Sequence, residues 1–457
     1  MALGKYLTSI NPSFASEEER YKKVFIEDIP FMMSNDGAIV CIPKDKEVFS
    51  FGVVGTSGTG KTLLLNRLTS FLYYHWNSNV AIMNDVSEES YKWSEPMKCV
   101  EFNNFNEELN QKPIGSPIFY FYPNTITLKL DEEFLKTTNH LKIVMPFEEV
   151  IEDIGFYLSG VNPSFELAKS GMYVNDIKDD LIECDTGTQI RETLNEKLPG
   201  ADGKAFQSMR TKITTAFDSL IKEEILDVTN PECHSYLKVP ICPYCKKNLE
   251  MIEGAWMCQI HNLIEKPDWY LGNPFIALMK LKQIPSFITS DLVDKKYKSE
   301  IFAYHINSIF KNNLKEFPRE KTFMIFDEIK TVCENDSEPA AKAIGTVAAR
   351  GRMNNVGLIY ATQFYDKIPN SVKGAKLNYC FTFRHNNAKV LNEIGSDFDL
   401  EKTSKDKIKN LKTFECIGLT NKTFVCYMDG ERYEVSKPIK GHIIYPIANH
   451  MKPSAEK

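Results

Sequence analysis

The sequence predicts an α/β fold, a parallel β-sheet covered by helices on both faces. Three observations carry this. Short β-branched or aromatic runs alternate with longer helical ones. A glycine-rich loop separates the first such run of the core from its helix. A later apolar run stops abruptly at two carboxylates. Strands joined through helices return to the sheet in the same direction, and a sheet built that way is buried on both faces.

The elements follow in order. Residues 1–46 read as an N-terminal extension, polar at first, with strand-like stretches at Val24-Phe25-Ile26 and Ala38-Ile39-Val40-Cys41-Ile42. The core pattern begins at Phe49, where Phe51–Val54 reads as a buried strand leading through a loop into a helix to about Tyr74. Val80–Met83 is a short strand ending in Asn84-Asp85. The aromatic Pro117–Tyr122 and the run Ile126-Thr127-Leu128 favour strands too.

From 130 to 232 the strand signals give way to helical spacing. Phe206, Met209, Ile213, Phe217, Leu220 and Ile225 recur on one helical face, which predicts an all-α insertion. Residues 233–269 form a separate small module. The α/β pattern then resumes with a strand at Ile284–Thr289, weakened at its start by Pro285. A helix over 297–313, a strand at Thr322–Phe326, a helix ending near Arg350 and a strand at Val356–Ala361 come next. Shorter strands lie around 377–384 and 413–428. The expected core is therefore discontinuous, 47–129 with 270–435, and 436–457 reads as a C-terminal tail of little periodicity.

The bulk properties fit a multi-domain globular protein. The 457 residues exceed one ordinary domain, and 43% hydrophobic with 25% charged residues supplies a sizeable core. No apolar run approaches membrane-spanning length, and the N-terminus lacks the apolar stretch of a signal peptide, so a cytoplasmic protein is expected. A net charge of −6 gives no global attraction to nucleic acid, though basic groups can be concentrated where a polymer passes. The eleven cysteines are scattered apart from one cluster, which argues against a disulfide framework.

The chemistry starts at Gly55-Thr56-Ser57-Gly58-Thr59-Gly60-Lys61-Thr62, a G-x-x-x-x-G-K-[ST] loop between strand and helix. Its glycines let backbone N–H groups turn inward around phosphates, and the helix N-terminus adds its dipole. Lys61 reaches the β- and γ-phosphates of ATP, and the Thr62 hydroxyl ligates Mg²⁺. The second half of such a site is Phe323-Met324-Ile325-Phe326-Asp327-Glu328, a buried strand delivering two carboxylates at its end. Asp327 is placed to hold Mg²⁺ and Glu328 to take a proton from the attacking water. The strand Val356–Ala361 runs on into Thr362-Gln363, putting Gln363 beside the γ-phosphate to orient water or sense its loss. Arg350 and Arg352, just before that strand, can stabilise the departing phosphate from an adjacent subunit, with Arg384 a weaker candidate.

In this order the motifs resemble the HerA/FtsK superfamily of P-loop ATPases, nearest to its HerA and type IV secretion branch. The resemblance spans roughly residues 45–430 and includes the acidic strand end Asp85-Val86-Ser87-Glu88-Glu89 and the segment Val144-Met145-Pro146-Phe147-Glu148-Glu149. It implies a RecA-like core, a homohexameric ring, Mg²⁺-dependent ATP hydrolysis and movement of double-stranded DNA through a central channel. A nuclease or a membrane-pore protein is the kind of partner it suggests. Two features depart from the family. The residues before the core are too few for the β-barrel of HerA proteins, and no winged-helix pattern follows residue 430. A secretion or conjugation-type ATPase and a nucleotide-gated scaffold therefore stand beside the DNA motor as readings.

The cysteine cluster is Cys242-Pro243-Tyr244-Cys245 with Cys258-Gln259-Ile260-His261, two pairs with two residues inside each and twelve between. Each pair offers two ligands from one tight knuckle, and four ligands complete a tetrahedral Zn²⁺ site of structural type. Cys233-His234 lies near enough in sequence to substitute for a ligand. The basic segments Lys402, Lys405, Lys407, Lys409, Lys412 and Lys295-Lys296, Lys298 read as solvated surface more readily than as phosphate contacts.

Overall fold

The computed structural model describes residues 28–44, 47–85, 93–99, 113–123, 140–143, 174, 176–184, 187–198, 211, 213–214, 237–247, 249–252, 255–288, 295–336, 338–373, 377–428 and 431–446. In chain order the strands are β1 (Asp28–Ser34), β2 (Ile39–Pro43), β3 (Ser50–Val54), β4 (Asn79–Asp85), β5 (Ile118–Pro123) and β6 (His140–Ile143). A central group follows, β7 (Leu237–Ile241), β8 (Glu250–Ile252), β9 (Ala255–Cys258), β10 (Asn262–Ile264) and β11 (Asp268–Gly272). Then come β12 (Ile284–Ile288), β13 (Thr322–Phe326), β14 (Val356–Thr362), β15 (Tyr379–Phe383) and β16 (Glu415–Thr420). The last are β17 (Phe424–Met428), β18 (Glu431–Val435) and β19 (Ile439–Ile443). The helices are α1 (Lys61–Tyr74), α2 (Lys178–Ile182), α3 (Gly187–Lys197), α4 (Pro274–Lys280), α5 (Lys295–Glu316), α6 (Pro339–Arg350), α7 (Asn370–Lys373), α8 (Ala388–Asp397) and α9 (Lys402–Lys409).

A fourteen-stranded sheet runs in the order β18-β17-β2-β1-β19-β16-β15-β3-β14-β13-β4-β12-β5-β6. Every neighbouring pair from β15 to β6 is parallel, and every pair from β15 back to β18 is antiparallel. The middle of the parallel half is dry: every residue of β13 and β14 is buried. Their side chains alternate between two cores. Phe323, Ile325, Ile359 and Ala361 pack with Leu64, Leu65, Leu68 and Phe71 of α1 on one face. Met324, Phe326, Leu358 and Tyr360 pack with Phe275 of α4, Phe302 of α5 and Ile344 of α6 on the other. Each buried Leu, Ile, Phe or Met among these contributes about 1.5–3 kcal/mol. The two-faced α/β arrangement expected from the sequence is therefore present.

The antiparallel half departs from the sequence reading. Ile439–Ile443, expected to be tail, is an interior strand between β1 and β16. Its alternate residues Lys440 and His442 disguise it. Both are spent on Glu415 of β16, at 3.4 and 3.5 Å, and His442 lies opposite Glu415 in the register. The range 130–232, expected to be all helical, contributes β6, a four-residue strand pairing parallel with β5, while Lys178–Ile182 and Gly187–Lys197 are helical. The stretches 24–26, 86–89, 126–128, 144–149, 233–234 and most of the helical pattern at 206–225 lie outside the described residues.

Arg67 joins the two halves. It is wholly buried in α1, where Nε donates to the carbonyl of Pro30 in β1 at 2.9 Å and Nη1 to that of Tyr445 at 2.5 Å. Its guanidinium lies 4.4 Å over the Phe71 ring. The helix that follows the glycine-rich loop is thus bonded directly to both ends of the described chain.

The residues from 237 to 272 form a small β unit, with β7 paired to β11 and β8-β9-β10 as a separate three-stranded sheet. It is anchored to the core beside α4. Lys280 pairs with Glu316 at 2.8 Å and its ammonium lies 4.6 Å from the Tyr270 ring of β11. Among the described residues no helix is long and apolar enough to cross a membrane.

Candidate nucleotide site and metal centre

The parallel strands bring the sequence-predicted residues to one edge of the sheet. β3 ends at Val54 and the loop Gly55–Gly60 curls to the start of α1. Gly60 is the residue before the helix, in the left-handed region with φ +113°. A Cβ there would also lie 3.0 Å from Phe414, so only glycine fits. No side chain caps α1, which leaves its first backbone N–H groups directed at the loop, as phosphate binding requires. The Thr56 carbonyl accepts from Thr59 Oγ1 at 2.8 Å and from Lys61 Nζ at 3.1 Å. Burial pulls the Lys61 ammonium below its ordinary pKa, against the opposing pull of Glu328 and Asp327. A poorly solvated cation held in a ring of backbone dipoles suits a polyanion.

β13 supplies the carboxylates. Thr62 Oγ1 lies 3.4 Å from Asp327 Oδ2, so hydroxyl and carboxylate meet where a divalent cation would bridge them. Glu328 is held tightly. It takes a left-handed backbone, φ 57° and ψ 67°, uncommon for a non-glycine residue. Its carboxylate accepts from Thr362 Oγ1 at 2.9 Å and from the Gln363 N–H at 3.1 and 3.3 Å. Lys61, Thr62, Asp327, Glu328 and Gln363, scattered over three hundred positions of sequence, thus surround one pocket-like end of the sheet.

Arg350 and Arg352 are not brought there. They precede β14 and so lie at its opposite end from Thr362, roughly 20 Å of strand away. Both are exposed, and Arg352 pairs with Glu47 just before β3. Neither can reach the loop of its own chain. Arg384 does end beside the loop: its carbonyl accepts from Thr56 N at 3.1 Å and from Thr56 Oγ1 at 3.2 Å, while its side chain is exposed.

VirB4 of Thermoanaerobacter pseudethanolicus is similar over 90% of this chain and 96% of its own, with 13% identity and a TM-score of 0.49. The bacterial conjugative coupling protein TrwB, lacking its first 70 residues, matches over 95% of this chain and 94% of its own, with 10% identity and a TM-score of 0.51. The chain has the fold of this coupling protein. The genome-packaging NTPase B204 of Sulfolobus turreted icosahedral virus 2, in complex with ATPγS, is similar over 32% of this chain and 66% of its own, with 17% identity and a TM-score of 0.26. No protein-family model and no curated protein matches the sequence. The five residues converge at the C-terminal edge of the parallel strands.

The second cluster is Cys242, Cys245, Cys258 and His261, whose donor atoms all lie within 4.8 Å of one another. Cys242 Sγ to His261 Nδ1 is 3.5 Å, Cys258 Sγ to His261 Nδ1 is 3.7 Å, and Cys245 Sγ to Cys258 Sγ is 3.6 Å. Ideal tetrahedral Zn²⁺ bond lengths put sulfur–sulfur edges at about 3.8 Å and sulfur–nitrogen edges at about 3.5 Å, so the donor set fits zinc. The Ile260 N–H donates to Cys258 Sγ at 3.4 Å, a bond that favours thiolate. Among the described residues the surrounding apolar cluster is Cys242, Leu249, Cys258 and Ile264, with Cys245 and Trp256 partly buried. Such a core is too small to hold three short strands unaided.

Two residues at this edge escape a reading from sequence. Thr362 looks like one more strand residue until Glu328 is placed against it. His385 follows a strand end, is 4% exposed, and lies with Nε2 2.9 Å from the Gln363 carbonyl. A polar residue closing an apolar strand next to Arg384 was the available signal, but nothing local points to its partner.

Proposed function

We propose that the chain is a Mg²⁺-dependent ATPase that works as a homohexameric motor translocating double-stranded DNA. The single observation behind the hydrolase reading is the convergence of Lys61, Thr62–Asp327 and Glu328–Gln363 on one edge. A mere nucleotide clamp needs the first two and has no use for a carboxylate held by two donors beside a glutamine.

The residues divide the work. Backbone N–H groups of Gly55–Thr62 and the Lys61 ammonium hold the phosphate oxygens. Thr62 and Asp327 are the residues that would hold Mg²⁺, which would supply neutralisation of phosphate charge. Glu328 accepts a proton from the attacking water, and Gln363 orients that water. An arginine of the neighbouring subunit, Arg352 or Arg350, balances charge on the departing phosphate. Cys242, Cys245, Cys258 and His261 would hold a structural Zn²⁺ that fixes the module at 237–272.

The test is turnover of ATP by the purified chain, with and without duplex DNA, beside its mass in solution. Six-chain mass with turnover raised by duplex supports the motor. The coupling role of TrwB in conjugation favours a second reading, a conjugation or secretion-type ATPase acting through a partner at a membrane pore. Turnover indifferent to DNA selects that one. Tight nucleotide binding without turnover rejects both in favour of a nucleotide-gated scaffold.

A further inference from the structure

The nucleotide edge is closed by a ring of hydrogen bonds. Thr62 reaches Asp327 at the end of β13, and Glu328 next to it accepts the Gln363 N–H at the end of β14. The Gln363 carbonyl contacts His385 Nε2 beyond the end of β15, and the Arg384 carbonyl returns the path to Thr56 of the phosphate loop. In this ring β14 and β15 are joined by one side chain, the imidazole of His385.

The contacts define the state of that imidazole. A carbonyl can only accept, so Nε2 carries the proton and donates to Gln363. The Asn387 N–H can only donate, and it points at Nδ1 at 3.2 Å, so Nδ1 is the acceptor. Asn387 is itself the N-cap of α8, its Oδ1 accepting from Lys389 N at 2.9 Å. A neutral, single-tautomer, 4% exposed ring is thus braced from a helix start and pressed against the peptide that precedes Phe364.

We propose that His385 is a positioning residue for ATP hydrolysis: it fixes the peptide plane of Gln363, and through it the amide that orients the attacking water. This rests on the ATPase reading given above. His385 touches neither nucleotide nor water. It acts by removing the freedom of Gln363 to swing away from Glu328. Misplacing a water-orienting group by about 1 Å costs on the order of a hundredfold in rate, which sets the scale.

The experiment compares wild type with His385→Phe, which keeps an aromatic ring but no donor, and His385→Gln, whose amide nitrogen can reach the same carbonyl. Steady-state ATP turnover, KM and thermal midpoint are read for each. The expected result is a kcat lowered ten- to a hundredfold in H385F with KM within about twofold, and recovery of most of that loss in H385Q. A merely structural role moves the thermal midpoint and KM with kcat and gives no recovery in H385Q, and that pattern overturns the proposal. So does a kcat in H385F equal to that of wild type. Absence of turnover in wild type overturns the ATPase reading and this inference together, so the two failures are told apart by the wild-type measurement.

Discussion

Thr362 donates its hydroxyl to the carboxylate of Glu328 at 2.9 Å, tying the last residue of β14 to the second residue past β13. The bond fixes a side chain whose backbone sits in a region costing about 1–3 kcal/mol, so position has been secured at the expense of local stability. A carboxylate so held is either a structural brace or a base. Glu328→Gln decides between them, because the amide oxygen can still accept from Thr362 while losing its basicity. The expectation is unchanged ATP affinity in equilibrium binding and turnover reduced by about two to four orders of magnitude. Near-normal hydrolysis in that variant removes Glu328 from the mechanism.

Lys61 carries a pH signature. Burial lowers its pKa, so in the range between that lowered value and the ordinary 10.5 the unfolded chain keeps a proton the folded chain has released. Stability then rises with pH across that window. Below it the folded protein bears a poorly solvated cation. Lys61→Met should therefore make the nucleotide-free protein more stable than wild type at neutral pH while abolishing ATP binding, and the gap should close as pH climbs towards 10. Urea unfolding of both proteins at the two pH values measures it. A gap that is absent at neutral pH, or widens on the alkaline side, contradicts this account.

What was legible in the sequence follows from locality. The phosphate loop, the carboxylate pair and Gln363 each announce themselves within eight residues or fewer, because an apolar run and its polar end are neighbours in the chain. The parallel strands β3, β13 and β14 are readable for the same reason: buried on both faces, they are apolar apart from Ser50, Thr322 and Thr362 at their ends. β18 is exposed and β19 half-buried, and both mix charges into their pattern, so they resemble solvated chain until their partners are known. β6 is too short to raise a signal above its surroundings. The bracing of the site is invisible for a further reason. Thr56 and Arg384 are 328 positions apart, and what joins them is a backbone carbonyl that any residue type would supply.

The metal centre gives the third prediction. The purified chain should carry one Zn²⁺, and Cys258→Ser or a strong chelator should remove it. Because the apolar cluster at the centre is so small, the strands from 237 to 272 should then become sensitive to protease. The α/β core has its own two large clusters and should keep both its thermal transition and its nucleotide binding. A chelator that leaves the protease pattern unchanged shows the strands to be self-sufficient.

The arginines supply the last. Since Arg352 stands at the opposite end of β14 from Thr362, it can serve hydrolysis only across a subunit boundary. Arg352→Ala alone should bind ATP normally and turn it over slowly, as should Glu328→Gln. Mixed in equal amounts and allowed to exchange subunits, the two variants form some boundaries at which an intact Glu328 faces an intact Arg352. In a randomly assembled ring these are about a quarter of all boundaries. The mixture should then recover up to about that fraction of wild-type activity if boundaries act independently, whereas an arginine working within its own chain gives no recovery at all. Repeating the mixture with Arg350→Ala assigns the role: the true trans residue complements Glu328→Gln, and an arginine that merely ends α6 keeps its activity when replaced and needs no complement.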